Sequence, residues 1–214
     1  MKISRRRFAA LLFVAAAPAG AAPSANAGLT LLRRWLRDTR GGRASFTQTV
    51  VDAKGHAGPA AAGNFEFERP GRFRWIYTHP YAQDIISDGA TIWTFDKDLD
   101  QVTVSHQSSA LRGTPAALLA GADVERVFAL SAMPDADGLK WVQAVPRAQD
   151  NAFAWVRIGL SMGADGPVLA RMQLRDAFRR TTTIVFSDTV RNPHFAPGYF
   201  HFDAPKGASV IDQP

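Results

Sequence analysis

The chain has no cysteine. It can form no disulfide, offers no thiolate as nucleophile or metal ligand, and carries no cysteine for a lipid anchor. Its five histidines (His56, His79, His106, His194 and His201) fall in loops or at strand ends, and none has H-E-x-x-H or comparable spacing. No metal and no cofactor is therefore assigned. A G-x-S-x-G nucleophile elbow and a phosphate-cradling glycine loop are also missing. The expectation is a protein that is not an enzyme, with no catalytic residue. Asp88 precedes Gly89 and reads as hairpin-turn chemistry rather than a catalytic acid. Glu66 and Glu68 read as solvated carboxylates on the wet side of a strand. Nothing after residue 27 approaches the 20 or so apolar residues that a helix needs to span a bilayer. The formal charge of +6 also promises less than it suggests. Four of the 25 basic residues (Lys2, Arg5, Arg6 and Arg7) lie at the extreme N-terminus, which has no acid, so the rest carries 21 basic against 19 acidic residues. A net charge of only +2 gives no basic stripe, and no nucleic-acid partner is expected.

The N-terminus has a plan of its own. The basic head precedes an apolar run from Phe8 to Ala17 and a small-residue stretch ending Ala25-Asn26-Ala27. That order predicts a cleavable signal peptide over residues 1–27 and an exported domain over residues 28–214. Ser4-Arg5-Arg6-Arg7-Phe8 fits a twin-arginine signal, and the ordinary secretory route fits equally.

The domain is organised around residues 63–95. Phe65 and Phe67 alternate with Asn64, Glu66 and Glu68; after Arg69-Pro70-Gly71-Arg72, Phe73, Trp75 and Tyr77 alternate in the same way. Period-two alternation gives a strand with one apolar face, and Pro-Gly between two such runs is turn chemistry. Pairing would put five aromatic rings on one face. Ile85-Ile86-Ser87, a turn at Asp88-Gly89, and Thr91-Ile92-Trp93-Thr94-Phe95 repeat the scheme. Ahead of it, Leu29, Leu32 and Leu36 with Trp35 predict an amphipathic helix over Gly28–Arg40, stopped by Gly41-Gly42, and then a strand over Ala44–Val51. Gln101–Ser105 is a further strand. Thr114-Pro115-Ala116-Ala117-Leu118-Leu119-Ala120-Gly121 predicts a short helix capped by Thr114, and Asp123–Val127 another turn. Such short apolar helices cannot stand alone in water and must lie on the aromatic sheet. Strands resume at Phe128–Met133, Lys140–Val145, Ala154–Met162, Val168–Arg175, Thr181–Val190 and Tyr199–Asp203. Many short strands and few helices describe a curled antiparallel sheet or barrel.

Several pieces of this sequence, in order, resemble the outer-membrane lipoprotein carrier family. They are Ala44-Ser45-Phe46-Thr47-Gln48, Arg69-Pro70 leading to Phe73-Arg74-Trp75, Ile86-Ser87-Asp88-Gly89 with Trp93, Thr114-Pro115 before Leu118-Leu119, and Phe202-Asp203-Ala204-Pro205-Lys206-Gly207 with Val210. The resemblance implies a mainly β fold: an incomplete, strongly curved antiparallel barrel with a short-helix lid over an apolar cavity. It implies a monomeric periplasmic chaperone that takes lipoproteins by their acyl chains from an inner-membrane ABC transporter to an outer-membrane receptor. Arg69 matches the arginine that latches the family's lid. Leu36, Phe73 and Trp75 match cavity positions, and Phe65, Phe67, Ile86, Trp93, Leu118 and Leu119 are assigned with them. Arg74 departs from the small polar residue of some relatives, and alternation points it outward. A carrier or sensor of another lipid on the same fold is the alternative.

Overall fold

A computed structural model describes residues 26–106, 115–121, 123–148 and 153–213. The expected signal segment up to residue 25 and the Thr114 cap lie outside them. One sheet of twelve strands forms the body: β1 (Gly41–Val51), β2 (Ala61–Glu68), β3 (Arg72–His79), β4 (Gln83–Asp88), β5 (Thr91–Asp96), β6 (Gln101–His106), β7 (Phe128–Ala132), β8 (Lys140–Pro146), β9 (Phe153–Gly163), β10 (Gly166–Asp176), β11 (Thr181–Arg191) and β12 (Ser209–Gln213). Their spatial order is β12-β6-β5-β4-β3-β2-β1-β11-β10-β9-β8-β7. Two neighbouring pairs are not consecutive in sequence, β1 with β11 and β6 with β12, and β7 and β12 remain as edges. The barrel is therefore incomplete. Every pairing is antiparallel except that of β12 with β6. Register shifts place extra residues in β11 opposite β1, in β3 opposite β2, and in both β9 and β10, and such bulges increase local twist and help the sheet curl.

The alternation of residues 63–77 does what it predicts. Phe65 pairs with Trp75 and Phe67 with Phe73, so their rings share the concave face. Gly71, at φ +75°, makes the turn between the strands. Three expectations are revised. Gly41 and Gly42 do not merely end the helix: they open β1, because the chain turns at Thr39-Arg40 and pairs at once with Glu68 and Phe67. Tyr199–Asp203 is not a strand but part of an irregular segment laid across the convex face. The last strand is instead Ser209–Gln213, which extends the sheet edge beside β6.

The helices fill the concavity. Helix α1 (Ala27–Asp38) buries Leu32 and Trp35 completely and packs Leu29 and Leu36 against the same core. It lies over β7–β10, while the short α2 (Pro115–Ala120) lies over β2 and β3, and α3 (Val124–Val127) leans on β7. Gly28 lets α1 approach β8: a Cβ there would sit 2.6 Å from the Trp141 carbonyl oxygen. Asn192 ties the α1–β1 corner, donating to the Asp38 carbonyl and accepting from the amides of Arg40 and Gly41.

Candidate functional site

The concave face is a continuous apolar surface. Phe65 packs on Trp75, with ring centroids 4.6 Å apart, and on Phe67 at 5.4 Å; Phe46 meets Trp75 at 4.9 Å and Tyr77 at 5.2 Å. Phe73 is fully buried, and Leu118 and Leu119 of α2 are equally buried against this surface. Leu36, Phe65, Phe67, Phe73, Trp75, Leu118 and Leu119 thus come together on one face. Phe46 and Phe186 belong there too and were not picked out from sequence, although both sit on alternating strands, at 2% and 8% exposure. They are paired with each other across β1 and β11.

Ile86 and Trp93 do not join them. Ile86 pairs with Arg74 on one side and Trp93 on the other, while Ser87 and Ile85 pair with Phe73 and Trp75. Paired residues share a face, so Ile86 and Trp93 lie on the convex side. There Trp93 contacts His201 and Phe202, and Phe95 contacts Phe202. Alternation fails as a guide here because both faces of β4 and β5 are covered. Glu66 is also corrected. It does project outward, but it is only 9% exposed, held by Arg43 at 2.5 Å and by the Tyr199 hydroxyl at 2.5 Å. Arg74 points outward as expected and donates to the Tyr199 carbonyl.

Arg69 closes the concave side. Its Nε donates to the Leu119 carbonyl at 3.0 Å, and its Nη1 to the carbonyls of Leu36 at 2.8 Å and Thr39 at 2.5 Å. Those acceptors are the C-terminal carbonyls of α1 and α2, which have no partner within their own helices, and a cation at a helix C-terminus also meets the favourable end of its dipole. The guanidinium stacks over Trp35 at 4.7 Å and over Phe67 at 5.4 Å. Burial pushes its pKa down to about 10, so it stays charged at neutral pH. Beside it the Gly71 amide donates to the Ala120 carbonyl, anchoring the end of α2 to the same turn. An exposed Arg33–Glu125 pair joins α1 to α3 and adds little by comparison.

Between α1 and strands β1, β2, β10 and β11 a cavity of about 200 Å³ remains, walled by Trp35, Phe65, Phe67, Val168, Leu169 and Phe186. Arg43 and Arg191 stand at its margin, the first engaged with Glu66 and the second with the Asp165 carbonyl. A second hollow, about 260 Å³, lies between Leu36, Arg69 and the α2–α3 link. The first lies between helix and sheet, the second among the helix ends around Arg69.

Comparison with known proteins agrees with this architecture. A solved DUF1329 family protein from Desulfovibrio piger superposes with a TM-score of 0.54 at 9% identity, over 82% of this chain and 96% of that one. At that identity the likeness concerns the fold alone. The outer-membrane lipoprotein carrier protein of Methylobacillus flagellatus is 42% identical over 87% of this chain and 89% of its own length. That of Leptothrix cholodnii is 41% identical over the full length of both. The family model described as outer membrane lipoprotein carrier protein LolA matches residues 37–203, which include Arg69, the aromatic hairpin and the convex-face segment, and the chain belongs to that family.

Proposed function

We propose that this protein is a periplasmic carrier that binds the acyl chains of lipoproteins on its concave aromatic face and shuttles them from an inner-membrane ABC transporter to an outer-membrane receptor. It acts as a monomer, by binding and transfer rather than by catalysis, and residues 1–27 direct its export. The observation that carries this reading is the cover of the concave face: α1 and α2 bury Leu32, Trp35, Leu118 and Leu119 there, and Arg69 ties the ends of both helices together through three carbonyls. Each buried CH₂ is worth about 0.8 kcal/mol, so a lipoprotein's acyl chains cannot cross an aqueous compartment unshielded. A carrier must also let go, and a lid that occupies the same surface when cargo is absent makes cargo compete for it. The 200 Å³ cavity is smaller than the roughly 300–1,000 Å³ of pockets that bury a drug-sized ligand. Loading therefore requires the lid to move.

Membrane vesicles or spheroplasts carrying labelled lipoprotein, incubated with purified residues 28–214, test the proposal. The expected result is lipoprotein in the supernatant as a stoichiometric soluble complex. If lipoprotein stays on the membrane while free lipid binds the protein, the carrier serves another lipid. If neither binds, the concave face is an ordinary core.

A further inference from the structure

Thr39 sits where α1 ends and β1 begins, and it is nearly inaccessible, at 2% exposure. Its backbone is fully used: the amide donates to the Trp35 carbonyl, and its carbonyl accepts from Arg69. Its hydroxyl is not. The residue lines the 200 Å³ cavity, and Oγ1 is buried with no hydrogen-bond partner among the described residues. Arg69, which holds the Thr39 carbonyl, likewise leaves Nη2 buried without an acceptor among the described residues. Buried polar groups are ordinarily satisfied, so each of these donors calls for an acceptor, the hydroxyl at the 200 Å³ cavity and the guanidinium nitrogen at the second hollow. The wall of that cavity combines apolar Trp35, Phe65, Phe67, Val168, Leu169 and Phe186 with a polar margin in which Arg43 and Arg191 are already engaged with Glu66 and the Asp165 carbonyl, so its apolar part is better filled by an alkyl chain than by water. An alkyl chain ending in a carbonyl suits both the wall and the hydroxyl.

We infer that Thr39 is a polar anchor for the head of an acyl chain: its hydroxyl donates to an ester or amide carbonyl while the alkyl tail lies against Trp35, Phe65, Phe67 and Phe186. This rests on the carrier reading and deepens it, for it distinguishes acyl ligands from plain alkyl ones. It also puts the anchor on the residue whose carbonyl accepts the latch. Cargo that engages the hydroxyl therefore shifts the same backbone unit that Arg69 grips.

The test uses two nonionic detergents with equal alkyl chains below their micelle concentrations, one joined to its sugar head through an amide carbonyl and one through an ether. Each is titrated against residues 28–214, with displacement of an apolar fluorophore as the readout. One hydrogen bond corresponds to a preference of roughly three- to tenfold for the carbonyl probe. Thr39→Val, which replaces the hydroxyl with a methyl group, should bring the ratio to near one while leaving binding of the ether probe unchanged. Thr39→Ser should keep the preference, and thermal melts of both variants check the fold. Equal preference in wild type and Thr39→Val overturns the anchor and leaves the carrier intact. Loss of both probes to the same degree in Thr39→Val assigns the residue a structural role and also overturns it. If wild type binds neither probe, the carrier reading itself fails.

Discussion

Replacing Arg69 with leucine separates the lid from the fold. The guanidinium makes three bonds to carbonyl oxygens, at 2.5, 2.8 and 3.0 Å. Hydrogen bonds to charged groups are each worth about 1.5–3 kcal/mol, so together they contribute about 4–9 kcal/mol. Against this stands the burial that lowers the pKa from 12.5 to about 10, a penalty of about 3 kcal/mol at 1.36 kcal/mol per pKa unit. Leucine escapes that penalty and keeps apolar contact with Trp35 and Phe67. A net loss of about 2 kcal/mol for the closed lid is a reasonable working value, and it corresponds to a change of about 30-fold in the closed-to-open ratio.

The Gly71 amide is the natural reporter, because its acceptor is the last carbonyl of α2. Native-state hydrogen exchange at Gly71 should quicken by about that factor in Arg69→Leu, while amides in the central β1–β11 pairing change little. Arg69→Lys should fall between, since its compact ammonium keeps the charge but loses the spread, fixed fork of the guanidinium. With the lid a weaker competitor, cargo should be accepted but released more slowly. Unchanged exchange at Gly71 in Arg69→Leu would refute the latch, whatever happened to cargo.

Three further outcomes follow from the geometry. Gly63→Ala would bring a Cβ to 1.8 Å from the Ile76 carbonyl oxygen, a backbone atom that cannot swing aside, so urea unfolding should register a loss of about 4 kcal/mol or more; an unchanged midpoint would mean that the β2–β3 bulge is not as tight as described. Trp93→Ala should leave binding of alkyl probes to the concave face untouched and speed proteolysis of the segment around Phe200, whereas lost probe binding with an intact segment would return Trp93 to the cavity. Burial raises the pKa of Tyr77, so above pH 10 the unfolded chain gives up a proton that the folded chain keeps; the unfolded state then binds fewer protons and stability falls as pH rises. Arg69, with its lowered value, acts in the opposite sense, and Tyr77→Phe should therefore show a shallower fall in urea midpoint between about pH 9 and 11 than wild type does.

The aromatic hairpin was legible because Phe65, Phe67, Phe73, Trp75 and Tyr77 alternate against polar neighbours, and the Pro70-Gly71 turn fixes which strands face each other. Legibility stopped where both faces of a strand are covered. Ile85-Ile86 and Ile92-Trp93 put apolar residues on successive positions, so periodicity cannot say which is inside; the pairing of Ser87 with Phe73 decides it, and register is a tertiary fact. Alternation gives the outward direction of Glu66 but not its burial, because the segment that covers it comes from around Tyr199, far along the chain. The three carbonyls that Arg69 meets had no local signal, because an arginine before a proline in a turn says nothing of distant helix ends. Thr39 had no signal at all, being one threonine at a helix end until the cavity beside it is known.

The two covers of this sheet differ in kind. On the convex side, Glu66 is satisfied by Arg43 and Tyr199, Arg74 holds the Tyr199 carbonyl, and Phe195, Tyr199 and Phe200 pack on one another with centroids 4.9–5.3 Å apart. Every polar group named there has a partner, and nothing is gained by lifting the segment. On the concave side the cover is a pair of helices too short to persist in water without the sheet, joined through one arginine, with the Thr39 hydroxyl and one arginine nitrogen left unsatisfied. A cover that is incompletely satisfied when closed can be displaced by a ligand that offers more apolar area and the missing acceptor. On the proposed reading, the fully partnered convex cover holds the curve of the aromatic face while the concave cover gives way to cargo. Thr39→Val and Arg69→Leu should accordingly act in opposite directions on cargo, the first weakening its hold and the second prolonging it.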